Sequence, residues 1–180
     1  MKWLTVVGAL VALAALLVGV TALVGSRLPK DHVASRRALI HRPPAEVYAA
    51  IRDFARAPEW RRDLKGVAML GESDGRPRFR EDGAHGSLTM EVVEEVRDAR
   101  LVTRIADESL PFGGTWTYEL KPVAGGTEIA ITERGEVKPA LFRALSKYVF
   151  THHRTIEQYL RALGARFGET LTPEPTGVTV

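Results

Sequence analysis

The first 26 residues carry a different pattern from the rest of the chain. From Trp3 to Gly25 the run WLTVVGALVALAALLVGVTALVG holds no charge. As a helix rising 1.5 Å per residue, it would cross a hydrocarbon core of about 30 Å. A cleaved signal peptide has a shorter apolar region, roughly 7–15 residues. Residues 1–26 are therefore read as a retained transmembrane anchor, with Trp3 at an interface. Beyond it, HVASRRALIHR (32–42) alternates loosely and predicts a strand. Pro44 then opens a helix in which Val47, Tyr48, Ile51 and Phe54 recur at helical spacing. Ala57-Pro58-Glu59-Trp60 predicts a second, short helix.

Six strand-like runs follow, divided by turn signals: KGVAML, RFRED, SLTMEVVEEV, LVTRIAD, TWTYELKPV and TEIAITERGEV. With the opening strand they predict a seven-stranded antiparallel sheet. After Pro139, apolar positions from Leu141 to Phe167 recur at three- and four-residue steps. That pattern predicts one helix of about thirty residues, with Arg143, Lys147, Arg154 and Arg161 on its polar side. A half-buried sheet needs a cover, and this helix supplies one if the sheet curls around it. Residues 169–180 hold two prolines and no periodicity, and read as a disordered tail. The domain proper is thus 27–168.

Composition narrows the chemistry. Apolar residues make up 45% and charged residues 26% of the chain, the balance of a globular domain. A net charge of +3 is too even for a nucleic-acid binder. The absence of cysteine excludes disulfides, thiolate nucleophiles and Cys-ligated zinc. His32, His41 and His85 lack ligand spacing, and the adjacent His152-His153 cannot form the i, i+4 pair of a zinc helix. No metal and no cofactor are expected. Arg27, Lys30, Arg36, Arg37 and Arg42 follow the anchor and only Lys2 precedes it, so the positive-inside rule places the domain in the cytoplasm.

Gly113-Gly114 invites a phosphate-loop reading. Such a loop needs a strand-to-helix turn. Here the strand-like TWTYEL follows, with no Lys-Ser/Thr pair, so the glycines are read as a strand connection. The preceding Leu110-Pro111-Phe112 would either close a cavity mouth or plug the edge of the core.

Several stretches carry a resemblance: IHRPPAEVYAAIRDFARAPEWR, EVVEEVRDARLVTRIAD, and LPFGGTWTYEL with GGTEIAITERGEV ahead of ALFRALSKYVF. Over residues 32–168 the chain resembles the START-like, or SRPBCC, superfamily, in particular its membrane-anchored bacterial members. That superfamily includes polyketide cyclase/dehydrase-type proteins. The resemblance implies an α+β helix-grip fold. Its curved sheet would hold the C-terminal helix and leave a cavity that takes sterols, lipids or polyketides.

Alternation puts Trp116, Tyr118 and Leu120 on one face, with Leu88 and Met90, and Ile129 and Ile131, on matching faces. Met90, Trp116, Tyr118 and Ile131 are candidate cavity-lining residues, with ordinary core as the alternative. Phe112 joins them from the loop, and Tyr148 and His152 from the helix stripe. His152 would be a general base, a ligand anchor, or a core histidine bonded to Glu133 or a tyrosine. Arg80, beside Phe79, would meet an anionic headgroup or stand on a solvated edge. Glu94 and Glu133 are candidates for an acid–base pair or for the solvated rim. The leading expectation is a membrane-tethered protein binding a small apolar ligand. A cyclase/hydratase-type enzyme and a chaperone-activator-like interaction module are the alternatives.

Overall fold

Helix starts, strand alternation and turn glycines translate into a regular antiparallel architecture. The computed structural model describes residues 2–84, 86–148 and 153–176, the side chains of 2 and 146–148 excepted. Helix α1 (Lys2–Ser26) leads into β1 (Asp31–Ile40). Helix α2 (Pro44–Arg52) starts at Pro44, whose missing N–H is not needed in a first turn. It buries Val47, Tyr48, Ala50 and Ile51, and a 3-10 turn (Phe54–Glu59) continues it.

The chain then runs as a meander: β2 (Leu64–Ser73), β3 (Arg76–Gly83), β4 (Gly86–Val96), β5 (Arg100–Ile105), β6 (Phe112–Val123) and β7 (Gly126–Val137). Helices α3 (Ala140–Tyr148) and α4 (His153–Arg166) and a two-residue strand β8 (Glu174–Pro175) close the chain. The sheet order is β2-β3-β4-β5-β6-β7-β1-β8, and every pair is antiparallel. Register shifts between Val92 and Glu94, and at two places in β2, bend the strands.

The core lies between the concave face of the sheet and α4. Ile156, Leu160 and Leu163 are fully buried at helical spacing. They join Ile40, Ile129, Ile131, Leu101 and Leu120 in one cluster. Ile131, a candidate lining residue, is one of these: fully buried in the core and absent from the wall of the cavity described below.

Two expectations are corrected. The predicted apolar stripe after Pro139 is helical in both described stretches, with α4 covering the sheet and α3 packing against α1 through Ala144 and Ala140. Gly25 makes that approach possible, because a Cβ there would collide with the Ala140 carbonyl. The sheet has eight strands rather than seven.

The second correction concerns the tail, whose described residues pack on the domain through Leu171 and pair with β1. A turn at Gly168 (φ 76°) ends α4 with the Glu169 N–H donating to the Gly164 carbonyl. Leu171 is buried against Gly164, where any side chain would clash. The Glu169 carboxylate accepts the His41 backbone N–H at 3.1 Å and lies 3.0 Å from its ring nitrogen. Leu171, not periodicity, orders this segment.

Leu160→Ala should cost about 2–5 kcal/mol of stability, read by thermal or denaturant unfolding. Glu169→Ala should release residues 169–176, seen as faster amide exchange confined to the tail and β1 edge.

Candidate functional site

α4 does not fill the concave face. A cavity of about 400 Å³ remains, walled by β3–β7, the 3-10 turn and the outer end of α4, with α3 at its mouth. Strand β6 runs its length. Phe112 and Gly114 stand at the mouth, Trp116 midway and Tyr118 at the deep end. At about 3.3 Å per residue, Phe112 to Tyr118 is roughly 20 Å.

Glycine shapes the mouth. Gly114 and Gly135 face each other across β6 and β7. Gly114 has φ 148°, and a Cβ on it would meet the Arg134 carbonyl at 2.4 Å, so no other residue fits without displacing backbone. The His32 ring lies over Gly135, and its Nε2 is 3.3 Å from Glu133 Oε1. The glycines therefore belong to a strand bordering the cavity, and not to a phosphate loop.

The deep end is polar and tightly organised. Arg61 leaves the 3-10 turn and points inward. Its Nη1 donates to Glu81 Oε1 at 2.6 Å and its Nη2 to Asp63 Oδ2 at 2.7 Å. Its guanidinium also sits 5.3 Å from the centre of the Tyr159 ring. Tyr159 is the hub of an aromatic cluster, with Trp60 at 5.3 Å, Tyr118 at 5.6 Å and Trp116 at 5.7 Å. The Tyr118 hydroxyl is hydrogen-bonded to Tyr159 and to the buried Thr103. Two N–H groups in this region, Trp60 Nε1 and Arg61 Nε, are buried without a hydrogen-bond partner.

Electrostatics set the protonation of these groups. Burial pushes both the Tyr118 and Tyr159 phenols up, well beyond the usual tyrosine range, so both are neutral at physiological pH. Burial opposes the charge on Arg61, but Glu81 and Asp63 outweigh it and hold the guanidinium charged. The arrangement offers two free N–H donors, neutral hydroxyls and a guanidinium whose charge is paired with Glu81 and Asp63. An oxygen-bearing group would be received there, and the apolar walls of Phe79, Leu88, Met90 and Ile105 would hold a hydrocarbon body.

The candidate residues separate clearly. Met90, Trp116, Tyr118 and Phe112 line the cavity, and Phe112 stays 37% exposed at the mouth rather than plugging the core. Arg80 does not reach it. Phe79 turns inward, so its neighbour must point out, and Arg80 pairs with Asp82 at 3.2 Å on the surface. His152 and the side chain of Tyr148 lie outside the described residues. Glu133 borders the cavity beside His32, whereas Glu94 pairs with Arg100 at 2.8 Å on the surface.

Sequence reasoning missed Arg61, Glu81, Thr103 and Trp60 as site residues. Glu81 was within reach, since it shares an inward face with Phe79 at two-residue spacing. Arg61 sits in an aperiodic connection and left no such signal.

Comparison with known proteins agrees with this geometry. Residues 31–168 match the family model described as polyketide cyclase / dehydrase and lipid transport. No curated protein matches the chain in sequence. Among solved structures, a hypothetical protein from Helicobacter pylori superposes with a TM-score of 0.63 at 20% identity, covering 78% of this chain and 94% of its own. A START superfamily protein from Mycobacterium smegmatis gives 0.60 at 20% identity, covering 75% and 96%. The Zhui aromatase/cyclase from Streptomyces gives 0.60 at 13% identity, covering 74% and 91%. At these identities the likeness establishes the fold, and the family model adds the sequence evidence. With a curved sheet, a helix laid in it and a cavity left between them, this chain belongs to the polyketide cyclase/dehydrase and lipid transport family of START-like proteins.

Proposed function

We propose that this protein binds a small, largely apolar molecule bearing an oxygen at one end, and does so tethered to a membrane through α1. The observation that carries the reading is the cavity itself. Its volume of about 400 Å³ falls in the range of small-molecule sites. Its walls are apolar, and its deep end presents two unpartnered N–H donors beside two neutral phenols. Buried donors without acceptors cost free energy, and a ligand oxygen would relieve that cost.

The tether rests on α1, whose span Trp3–Ser26 is long and apolar enough to cross a bilayer, with a mean hydropathy of 2.6. Arg27 and Lys30 follow it, which favours a cytoplasmic domain.

A second reading is favoured by the same polar end. A fixed guanidinium and neutral phenols are suited to stabilising an enolate as it forms, the requirement of a cyclase or dehydrase. The proton would have to pass to a carboxylate or imidazole, and Glu81, Glu133 and His32 border the cavity.

Extraction of the full-length protein, purified without added detergent lipid, should yield a bound apolar molecule by mass spectrometry. An empty extract, with the fold intact, would remove the binding reading. Recovery of both a molecule and its counterpart lighter by one water would favour the enzyme.

Met90→Trp should narrow the cavity and reduce the amount of bound species recovered by mass spectrometry, while leaving the melting temperature close to wild type. Tyr118→Phe should weaken binding by about five- to a hundred-fold, the equivalent of roughly 1–3 kcal/mol. Arg61→Met would strand Glu81 and destabilise the fold by up to about 3 kcal/mol, so its effect on binding is read only below its unfolding transition.

A further inference from the structure

The membrane helix and the cavity mouth lie at the same end of the domain. Only residues 27–30 separate α1 from β1. Four residues span at most about 14 Å. The start of β1, the end of β7 and the start of β6 lie side by side, since Asp31 pairs with Glu136 and Phe112 with Val137. These strand ends carry the mouth residues Phe112, Glu136 and Val137.

The connection is also bonded. Arg143 of α3 donates through Nε to the Gly25 carbonyl at 2.8 Å, which sets a positive charge at the carboxyl end of α1. Its Nη1 donates to the Lys138 carbonyl at 2.6 Å. Lys138 in turn donates its N–H to the Pro111 carbonyl at 2.9 Å, and its Nζ to the Glu108 carbonyl at 2.9 Å and the Leu110 carbonyl at 3.2 Å. The Val137 N–H donates to the Lys30 carbonyl at 2.9 Å. Anchor, α3 and the loop leading into Phe112 form one hydrogen-bonded unit.

α3 lies against the last turns of α1, where Thr21, Ala22 and Gly25 are the covered positions. Those turns belong to the apolar span. On the free side of α3, Phe142 is 53% and Leu145 37% exposed, and both border the cavity. Exposed aromatic and aliphatic side chains at the depth of a membrane helix's last turns are covered by lipid. The flanking charges fit a headgroup layer: Arg27 and Lys30 are exposed beside Asp31, and Lys138 lies near Glu136.

We propose that the cavity mouth is held in the interfacial layer of the bilayer, with Phe142 and Leu145 immersed. Ligand then passes between the leaflet and the cavity without crossing water. The occupant of the exposed α3 face is the lipid of the leaflet that α1 spans. The ligand class is accordingly an amphiphile resident in that leaflet, with its oxygen end entering toward Tyr118. The ligand route rests on the binding reading above; the placement of the mouth does not.

The absence of cysteine makes the test direct. Phe142→Cys, Leu145→Cys and Val123→Cys each give one labelling site in the full chain. Val123 is 43% exposed at the opposite end of β6 and serves as the control. Each variant carries an environment-sensitive fluorophore and is reconstituted in phosphatidylcholine vesicles with or without doxyl-labelled phosphatidylcholine. Quenching several-fold stronger at 142 and 145 than at 123 is the expected result. Equal quenching at all three sites would overturn the proposal. Immersed labels with an empty extract would keep the mouth's placement and remove the binding reading. A recovered ligand with labels in water would do the reverse.

Discussion

The structure depends on one packing interaction: the burial of α4 against the concave face of the sheet. Ile156, Leu160 and Leu163 lose all contact with solvent there. Each such side chain contributes about 1.5–3 kcal/mol. The same interaction explains the cavity. The space remains between the sheet and Thr155 and Tyr159 of α4, and runs to the strand ends at Phe112 and Val137. The sheet stays curved because bulges in β2 and β4 bend it and the seven long strands cannot flatten over a single helix.

A vacancy of this kind is stable only if its polar members are paired. Arg61 illustrates the requirement. A guanidinium beside aromatic rings would be costly alone, yet Glu81, Asp63 and the Tyr159 ring face surround it. Pairing leaves the Arg61 Nε unused. Burial keeps both phenols protonated. The deep end therefore combines a carboxylate-paired guanidinium with neutral hydroxyls that both donate and accept.

The other end of the cavity is shaped by α1. Gly25 lets α3 lie on α1, and Arg143 joins the two. In consequence α3 packs on α1 while its Phe142 and Leu145 border the cavity. Amphipathic spacing states that a face will be covered, and not by what.

How far the chain could be read without coordinates follows from the range of each signal. Strands, the first helices and the apolar span were legible because alternation and helical periodicity act over a few residues. Inward placement of Met90, Trp116 and Tyr118 followed from that alternation alone. Arg80 stayed between two readings because a two-fold choice of face is settled by a neighbour, here the burial of Phe79. Arg61 lies in a connection, and its partners Glu81 and Tyr159 are brought to it only by the closed sheet and α4. The tail was hidden for a similar reason, since Leu171 finds its place only against Gly164. Local periodicity determined the elements, and a resemblance over whole stretches of sequence pointed to the family. The tertiary structure decided which polar groups meet, how much space is left and which end faces α1, because those depend on contacts between residues far apart in the chain.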